Sequence, residues 1–195
     1  MATKQTGERK LQILQTIAEM LEQPKGEKIT TAALAGRLQL SEAALYRHFA
    51  SKMMMYQGLI DFIEQTVFGL INKIATEEQD GLRQVEGILA LLLGFAQKNR
   101  GMTRVLIGDA LVNEDERLQQ RINQFLDRVE TTLKQSLRIA STQGRLPAEA
   151  DVGAHANLLL CYVVGRWQQF GKSGYKRLPM EQWTQQWAIL LLQFK

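Results

Sequence analysis

The sequence is poor in cysteine and contains no long apolar segment. The single cysteine, Cys161, cannot form an intramolecular disulfide, and its place in the apolar run NLLLCYVVG predicts a buried core thiol. The longest apolar run, residues 88–95, is far too short to span a bilayer. The start MATKQTGERK lacks the apolar core of a signal peptide. We therefore expect a cytoplasmic protein.

Residues that carry catalytic or metal-binding chemistry are also scarce. The two histidines, His48 and His155, do not lie at metal-ligand spacing with Cys, Asp or Glu. The chain has no glycine-rich phosphate loop, no nucleophile elbow and no carboxylate pair in a recognisable catalytic sequence. These features predict a protein that is not an enzyme and that needs no cofactor or metal.

Three prolines in 195 residues and the absence of alternating apolar runs predict an all-α protein of about nine helices. Apolar spacing places the longer helices at about 8–23, 52–76, 82–99, 102–112, 115–142, 149–170 and 179–194. We expect Gly101 to form the glycine C-cap that ends the helix over 82–99. The expected organisation is an N-terminal domain, residues 1–52, and a helical body, residues 53–195.

Residues 30–52, TTAALAGRLQLSEAALYRHFASK, fit two short helices joined by a tight turn. Thr30 or Thr31 can cap the first helix and Ser41 the second. The turn residue Gln39 stands where glycine is common, and a non-glycine residue at positive φ costs about 1 kcal/mol. A short second helix with Tyr46 facing outward fits the major groove of DNA. The alternative is an αα-hairpin that only packs.

This segment, preceded by an amphipathic helix, resembles the DNA-binding domain of the TetR family, which has three helices including a helix-turn-helix. The formal net charge is +4, and residues 1–52 hold eight Lys and Arg against five Glu, which suits a polyanionic partner but also ordinary solubility. The resemblance implies contacts to double-stranded DNA from Thr30, Thr31, Ser41, Glu42, Ala43, Ala44, Tyr46, Arg47, His48 and Lys52.

The last two predicted helices carry more apolar surface than one helical layer covers. A second subunit could bury this surface in a four-helix interface, the arrangement typical of TetR-like homodimers, and the alternative is burial within the monomer. The predicted interface residues are Leu158, Trp167, Trp183, Trp187 and Leu190.

Three segments carry a closer resemblance: ITTAALA, SEAALYRHFASKMMMYQGLIDFIEQ, and residues 88–130, ILALLLGFAQKNRGMTRVLIGDALVNEDERLQQRINQFLDRVE. They resemble the nucleoid occlusion factors within the TetR family, and the resemblance runs almost the full length of the chain, fading only after about residue 145. That resemblance implies binding to palindromic chromosomal sites and antagonism of the division protein FtsZ, whose C-terminal tail would dock between the helices over 52–76 and 82–99. It nominates Phe62, Leu91, Gly94, Lys98 and Asn99, although Phe62 and Leu91 could equally be core residues. The second hypothesis is a ligand-responsive TetR-type transcriptional repressor.

Overall fold

A computed structural model describes residues 2–23 and 29–194 of the chain, with side chains from Gly7 onward except that of Gln193. This described part contains nine α-helices and no β-strand. The helices are α1 Ala2–Leu21, α2 Thr31–Arg37, α3 Glu42–Tyr46, α4 Lys52–Glu77, α5 Gly81–Lys98, α6 Arg100–Leu106, α7 Glu116–Thr142, α8 Val152–Lys172 and α9 Trp183–Leu191. The all-α prediction is confirmed.

The helices form two compact units. Unit 1 contains the described residues up to Ile63 together with Asn99–Ile122, and unit 2 contains Glu64–Lys98 and the described residues from Asn123 onward. Unit 1 therefore includes the segment over residues 53–63, which was assigned from sequence to the helical body, and also α6 with the loop that follows it.

Unit 1 is held together where α1 crosses α6. Gly101 lies inside α6 and is buried against α1, where an added Cβ would lie 1.9 Å from the carbonyl oxygen of Ala18. The predicted role of Gly101 as a C-cap is wrong, because a new helix starts at Arg100 and uses the glycine for close packing. The Arg104 guanidinium donates to the carbonyl oxygens of Leu21 and Gln23 at the end of α1, at 3.2 and 3.3 Å.

Unit 2 has α5 at its centre, since Ile88, Leu89, Leu92 and Leu93 are all fully buried. The helix α8 packs on α5, and the Trp167 indole N–H donates to the carbonyl oxygen of Leu92 at 3.1 Å. Trp167 is fully buried in the single chain. This corrects the assignment of Trp167 to a dimer interface, because its side chain is already enclosed by its own protomer.

The contact between α8 and α9 is aromatic. The Tyr162 ring on α8 lies 6.4 Å from the Trp183 ring on α9, centroid to centroid, and the Tyr162 hydroxyl donates to Gln186 Oε1 at 2.5 Å. Within α9 the rings of Trp183 and Trp187 stack with centroids 5.7 Å apart. Trp187 is buried, whereas Trp183 and Leu190 are half-buried. Cys161 is exposed on α8, so the prediction of a buried thiol is wrong. The buried residues of this apolar run are instead Leu159, Leu160 and Val163.

Candidate nucleic-acid interface

The first helix of the predicted DNA-reading unit begins as its sequence indicates. The Thr30 hydroxyl oxygen accepts from the backbone N–H of Ala33 at 3.1 Å, which caps α2. Leu34 and Ala35 are buried, and the other positions of α2 are exposed or half-buried. After the turn the chain returns close to the end of α2, since the Ala35 carbonyl oxygen accepts from the N–H of Leu40 at 2.9 Å.

The turn between α2 and α3 uses a left-handed backbone conformation at Gln39, with φ of 54°. The predicted positive φ at this non-glycine residue is confirmed. The Gln39 N–H donates to the Gly36 carbonyl oxygen at 3.2 Å, so the end of α2 keeps its hydrogen bonds through the turn. The turn therefore reverses the chain within a few residues and fixes where α3 starts.

The helix α3 is short and presents polar side chains to solvent. Ser41 caps it by accepting from the backbone N–H of Ala44 at 3.2 Å. Leu45 is fully buried and fixes the inner face, while Tyr46 on the adjacent position is 44% exposed. A buried leucine beside an exposed tyrosine leaves one face of α3 available to the edges of bases.

The ten predicted contact residues fall into two groups by exposure. The exposed group comprises Thr30, Ser41, Glu42, Ala43, Tyr46 and Arg47, and the half-buried group comprises Thr31, Ala44, His48 and Lys52. On α3 and its caps, this exposed group includes the Ser41 hydroxyl, the Tyr46 phenol and the Arg47 guanidinium. These three groups can donate hydrogen bonds to phosphates and bases. The Nδ1 atom of His48 is buried and has no hydrogen-bond partner among the described residues.

One hydrogen bond joins the two helices of this unit at its polar surface. The Thr31 hydroxyl donates to Glu42 Oε2 at 2.5 Å. Glu42 is the first residue of α3, where a carboxylate is favoured by the helix dipole. The bond therefore orients α2 and α3 through the same residues that are predicted to face DNA.

The ammonium group of Lys52 is engaged by a residue that sequence reasoning missed. Lys52 Nζ lies 2.5 Å from Glu114 Oε1 and 5.6 Å from the centroid of the Tyr56 ring. Burial and the nearby Glu114 carboxylate raise the pKa of the Tyr56 phenol well above its usual value. Glu114 lies 62 residues from Lys52 in the chain, in the loop before α7, so no local sequence pattern indicates this pair.

The described residues contain neither a candidate metal site nor a candidate membrane-spanning helix. No group of three or more His, Cys, Asp or Glu side chains in this part of the chain could hold a metal ion. No described helix is both long and apolar enough to cross a membrane.

Comparison with solved structures identifies proteins that share this fold. A TetR transcription regulator from Haloarcula marismortui matches with a TM-score of 0.81 at 17% identity, covering 96% of this chain and 98% of that one. The regulator FadR from Bacillus subtilis, solved with stearoyl-CoA, matches with a TM-score of 0.76 at 13% identity over 95% and 99% of the two chains. The chain therefore shares its fold with TetR-type proteins.

Sequence comparison identifies the branch of that class. A family model described as SlmA-like, Tetracyclin repressor-like, C-terminal domain matches residues 79–195. Nucleoid occlusion factor SlmA from Alteromonas mediterranea is 50% identical over 99% of this chain and 98% of that protein. SlmA from a Marinomonas species is 48% identical over 94% and 93%. The chain belongs to the SlmA family of nucleoid occlusion factors.

Proposed function

We propose that this protein binds palindromic chromosomal sites as a homodimer and, when bound, antagonises FtsZ assembly so that cells do not divide over the nucleoid. The observation that carries the proposal is the combination of near-full-length similarity to SlmA proteins with an exposed α3 face. The family assignment and the TetR-like fold also support non-enzymatic action on DNA. The runner-up, a ligand-responsive repressor, is not favoured, because the repressor-like neighbours share the fold at under 25% identity.

The DNA-binding part of the proposal depends on Tyr46 and the positive side chains near it. Removing the ring with Tyr46→Ala should abolish specific binding to a selected palindrome while leaving a salt-dependent residual affinity. Leu70→Ala, at an α4 residue that is 42% exposed and is not a predicted DNA contact, serves as the control. Wild-type affinity in a folded Tyr46→Ala protein at near-physiological salt would exclude this face from DNA reading.

The dimer part of the proposal rests on the solvent-facing side of α8 and α9. Ala154, Leu158, Cys161 and Gly165 recur on the exposed face of α8 at helical spacing. The small side chains of Ala154, Cys161 and Gly165 permit close approach of another helix around Leu158. Leu158 is 53% exposed and Ile189 on α9 is 65% exposed. This set replaces Trp167 as the proposed contact surface, and Trp183, Trp187 and Leu190 on α9 stay predictions of the interface.

A charged residue at the centre of this surface should separate the protomers. Leu158→Asp would place a carboxylate in an apolar interface at a cost of several kcal/mol. Leu70→Asp, on an α4 leucine that is 42% exposed, is the matched control. Sedimentation should show a monomer for the first variant and a dimer for the second. A folded dimer in the Leu158→Asp protein would reject this surface.

The partner part of the proposal rests on α5. Leu91, Gly94 and Lys98 lie at helical spacing on the side of α5 that is not fully buried, and a Cβ added at Gly94 would meet no atom within 4 Å. An apolar residue, an open backbone and an exposed ammonium suit a short acidic and apolar peptide such as an FtsZ tail. Phe62 and Asn99, both half-buried in unit 1, stay predictions of this contact.

Charge reversal on α5 tests the partner. Lys98→Glu should weaken binding of an FtsZ C-terminal peptide markedly, because a rim charge then repels the acidic peptide. Arg138→Glu, on the exposed side of α7, controls for net charge. Fluorescence anisotropy with and without cognate DNA measures the affinity. Equal peptide affinity in the Lys98→Glu and wild-type proteins would remove Lys98 from the contact.

A further inference from the structure

We propose that Glu114 is a positioning residue that limits DNA affinity by holding the Lys52 ammonium away from phosphates. Lys52 is the first residue of α4, directly after the helix-turn-helix, and is one of the predicted phosphate contacts. The inference rests on the proposed DNA-binding function of this surface. It assigns to the loop before α7 a direct influence on DNA affinity.

The first step of the argument is the geometry of the pair. The 2.5 Å separation of Lys52 Nζ and Glu114 Oε1 is a charge-assisted hydrogen bond, and the side chains are only 23% and 13% exposed. Lys52 Nζ also lies over the Tyr56 ring, and Tyr56 is 2% exposed. Because little water surrounds the two charged groups, their attraction is screened less than that of a surface ion pair, and the pair stays formed for more of the time.

The second step is charge balance. A lysine strengthens DNA binding by neutralising a phosphate and releasing its counterion. The Lys52–Glu114 pair has no net charge, so a phosphate near it experiences almost no attraction unless the ammonium leaves the carboxylate. Glu114 therefore offsets the contribution that Lys52 would make to DNA affinity if its ammonium group were unpaired.

The third step concerns what positions Glu114. The Glu114 N–H donates to the Leu111 carbonyl oxygen at 3.0 Å, and the preceding Asn113 has a φ of 65°. This tight turn places the carboxylate at Lys52 by backbone geometry. A change in the turn would therefore alter the Lys52 environment without any change in the helix-turn-helix itself.

The test compares DNA binding of the wild type with that of Glu114→Gln, Lys52→Gln and the double variant on one selected palindrome across a salt series. Glu114→Gln should bind DNA roughly five- to thirtyfold tighter at 0.15 M salt. The slope of the logarithm of the association constant against the logarithm of the salt concentration should become more negative by about 1.8, because each protomer of a dimer would neutralise one more phosphate. Lys52→Gln should bind more weakly than wild type, and the double variant should return near wild type. Weaker or unchanged binding by Glu114→Gln, or a double variant as tight as Glu114→Gln, would overturn the proposal.

Asp115→Asn is the matched control, because it removes one negative charge at the next residue, where the carboxylate pairs with Arg117 at 2.7 Å. It should not reproduce the gain of Glu114→Gln, and an equal gain would show a general charge effect and refute a specific pair. Reductive methylation followed by mass spectrometry gives a readout without DNA. Lys52 should be methylated faster, relative to the exposed Lys98, in Glu114→Gln than in wild type, and an unchanged rate would contradict the restraint.

These measurements separate the inference from the proposed function. Wild-type protein that fails to bind any selected palindrome refutes the DNA-binding proposal, and with it the effect of Glu114 on DNA affinity. The methylation rates would still report whether Glu114 restrains Lys52.

Discussion

Gly101→Ala tests the contact that joins α1 to α6. The added Cβ would lie 1.9 Å from the carbonyl oxygen of Ala18 and 2.8 Å from its carbonyl carbon. Both distances are shorter than 3.0 Å, a separation below which Cβ contacts are essentially never found. Both neighbours are backbone atoms, so no side-chain rotation relieves the overlap. The two helices would have to separate by about 1 Å in a close-packed region.

The expected loss of stability follows from two opposing terms. Overpacking of this kind costs typically about 1–3 kcal/mol, and a rigid backbone neighbour places it at the upper end. Alanine gains about 1 kcal/mol over glycine as a helix former. The net loss should be about 2 kcal/mol, equivalent to a fall in melting temperature of about 4–8 °C.

Urea unfolding at a fixed protein concentration measures this loss, since the proposed dimer would make stability depend on concentration. The control is Gly69→Ala on α4, where an added Cβ meets nothing within 4 Å. That variant should gain about 0.5–1 kcal/mol from helix propensity alone. Gly101→Ala as stable as wild type, with the expected gain at Gly69, would show that α1 and α6 do not make this contact.

Three further substitutions test other local features. Gln39→Gly should raise the free energy of unfolding by about 0.5 kcal/mol, since relief at φ 54° outweighs the added flexibility of the unfolded chain; a loss would contradict the left-handed turn. Trp167→Phe should cost about 2 kcal/mol through a cavity and the lost N–H bond to Leu92, measured by urea unfolding, and should leave the proposed dimer intact in sedimentation. Ser41→Ala should cost about 1 kcal/mol and weaken DNA binding by loss of the α3 cap, whereas Ser41→Asp should retain the cap.

The sequence predicted those elements whose signals are local. The periodic apolar residues of α4, α5 and α7 give helix ends within one or two residues of the predicted ones, since each helix buries a continuous stripe. The caps at Thr30 and Ser41 and the positive φ at Gln39 depend only on nearby backbone. The helix over 102–112 was predicted too long, because Gly108 at φ 77° ends α6 and a 3₁₀ turn follows at Asp109–Leu111.

What the sequence by itself determined is therefore the all-α class, the helix-turn-helix and the exposed face of α3, because hydrogen bonds and periodicity within a few residues specify them. Only the tertiary structure decided that Gly101 is a packing residue, that Trp167 lies inside its own protomer, and that Glu114 pairs with Lys52. Each of these depends on residues that are distant in the chain and close in space. A stripe of apolar residues at helical spacing indicates that a side chain is buried, but the residues that bury it depend on how the helices pack.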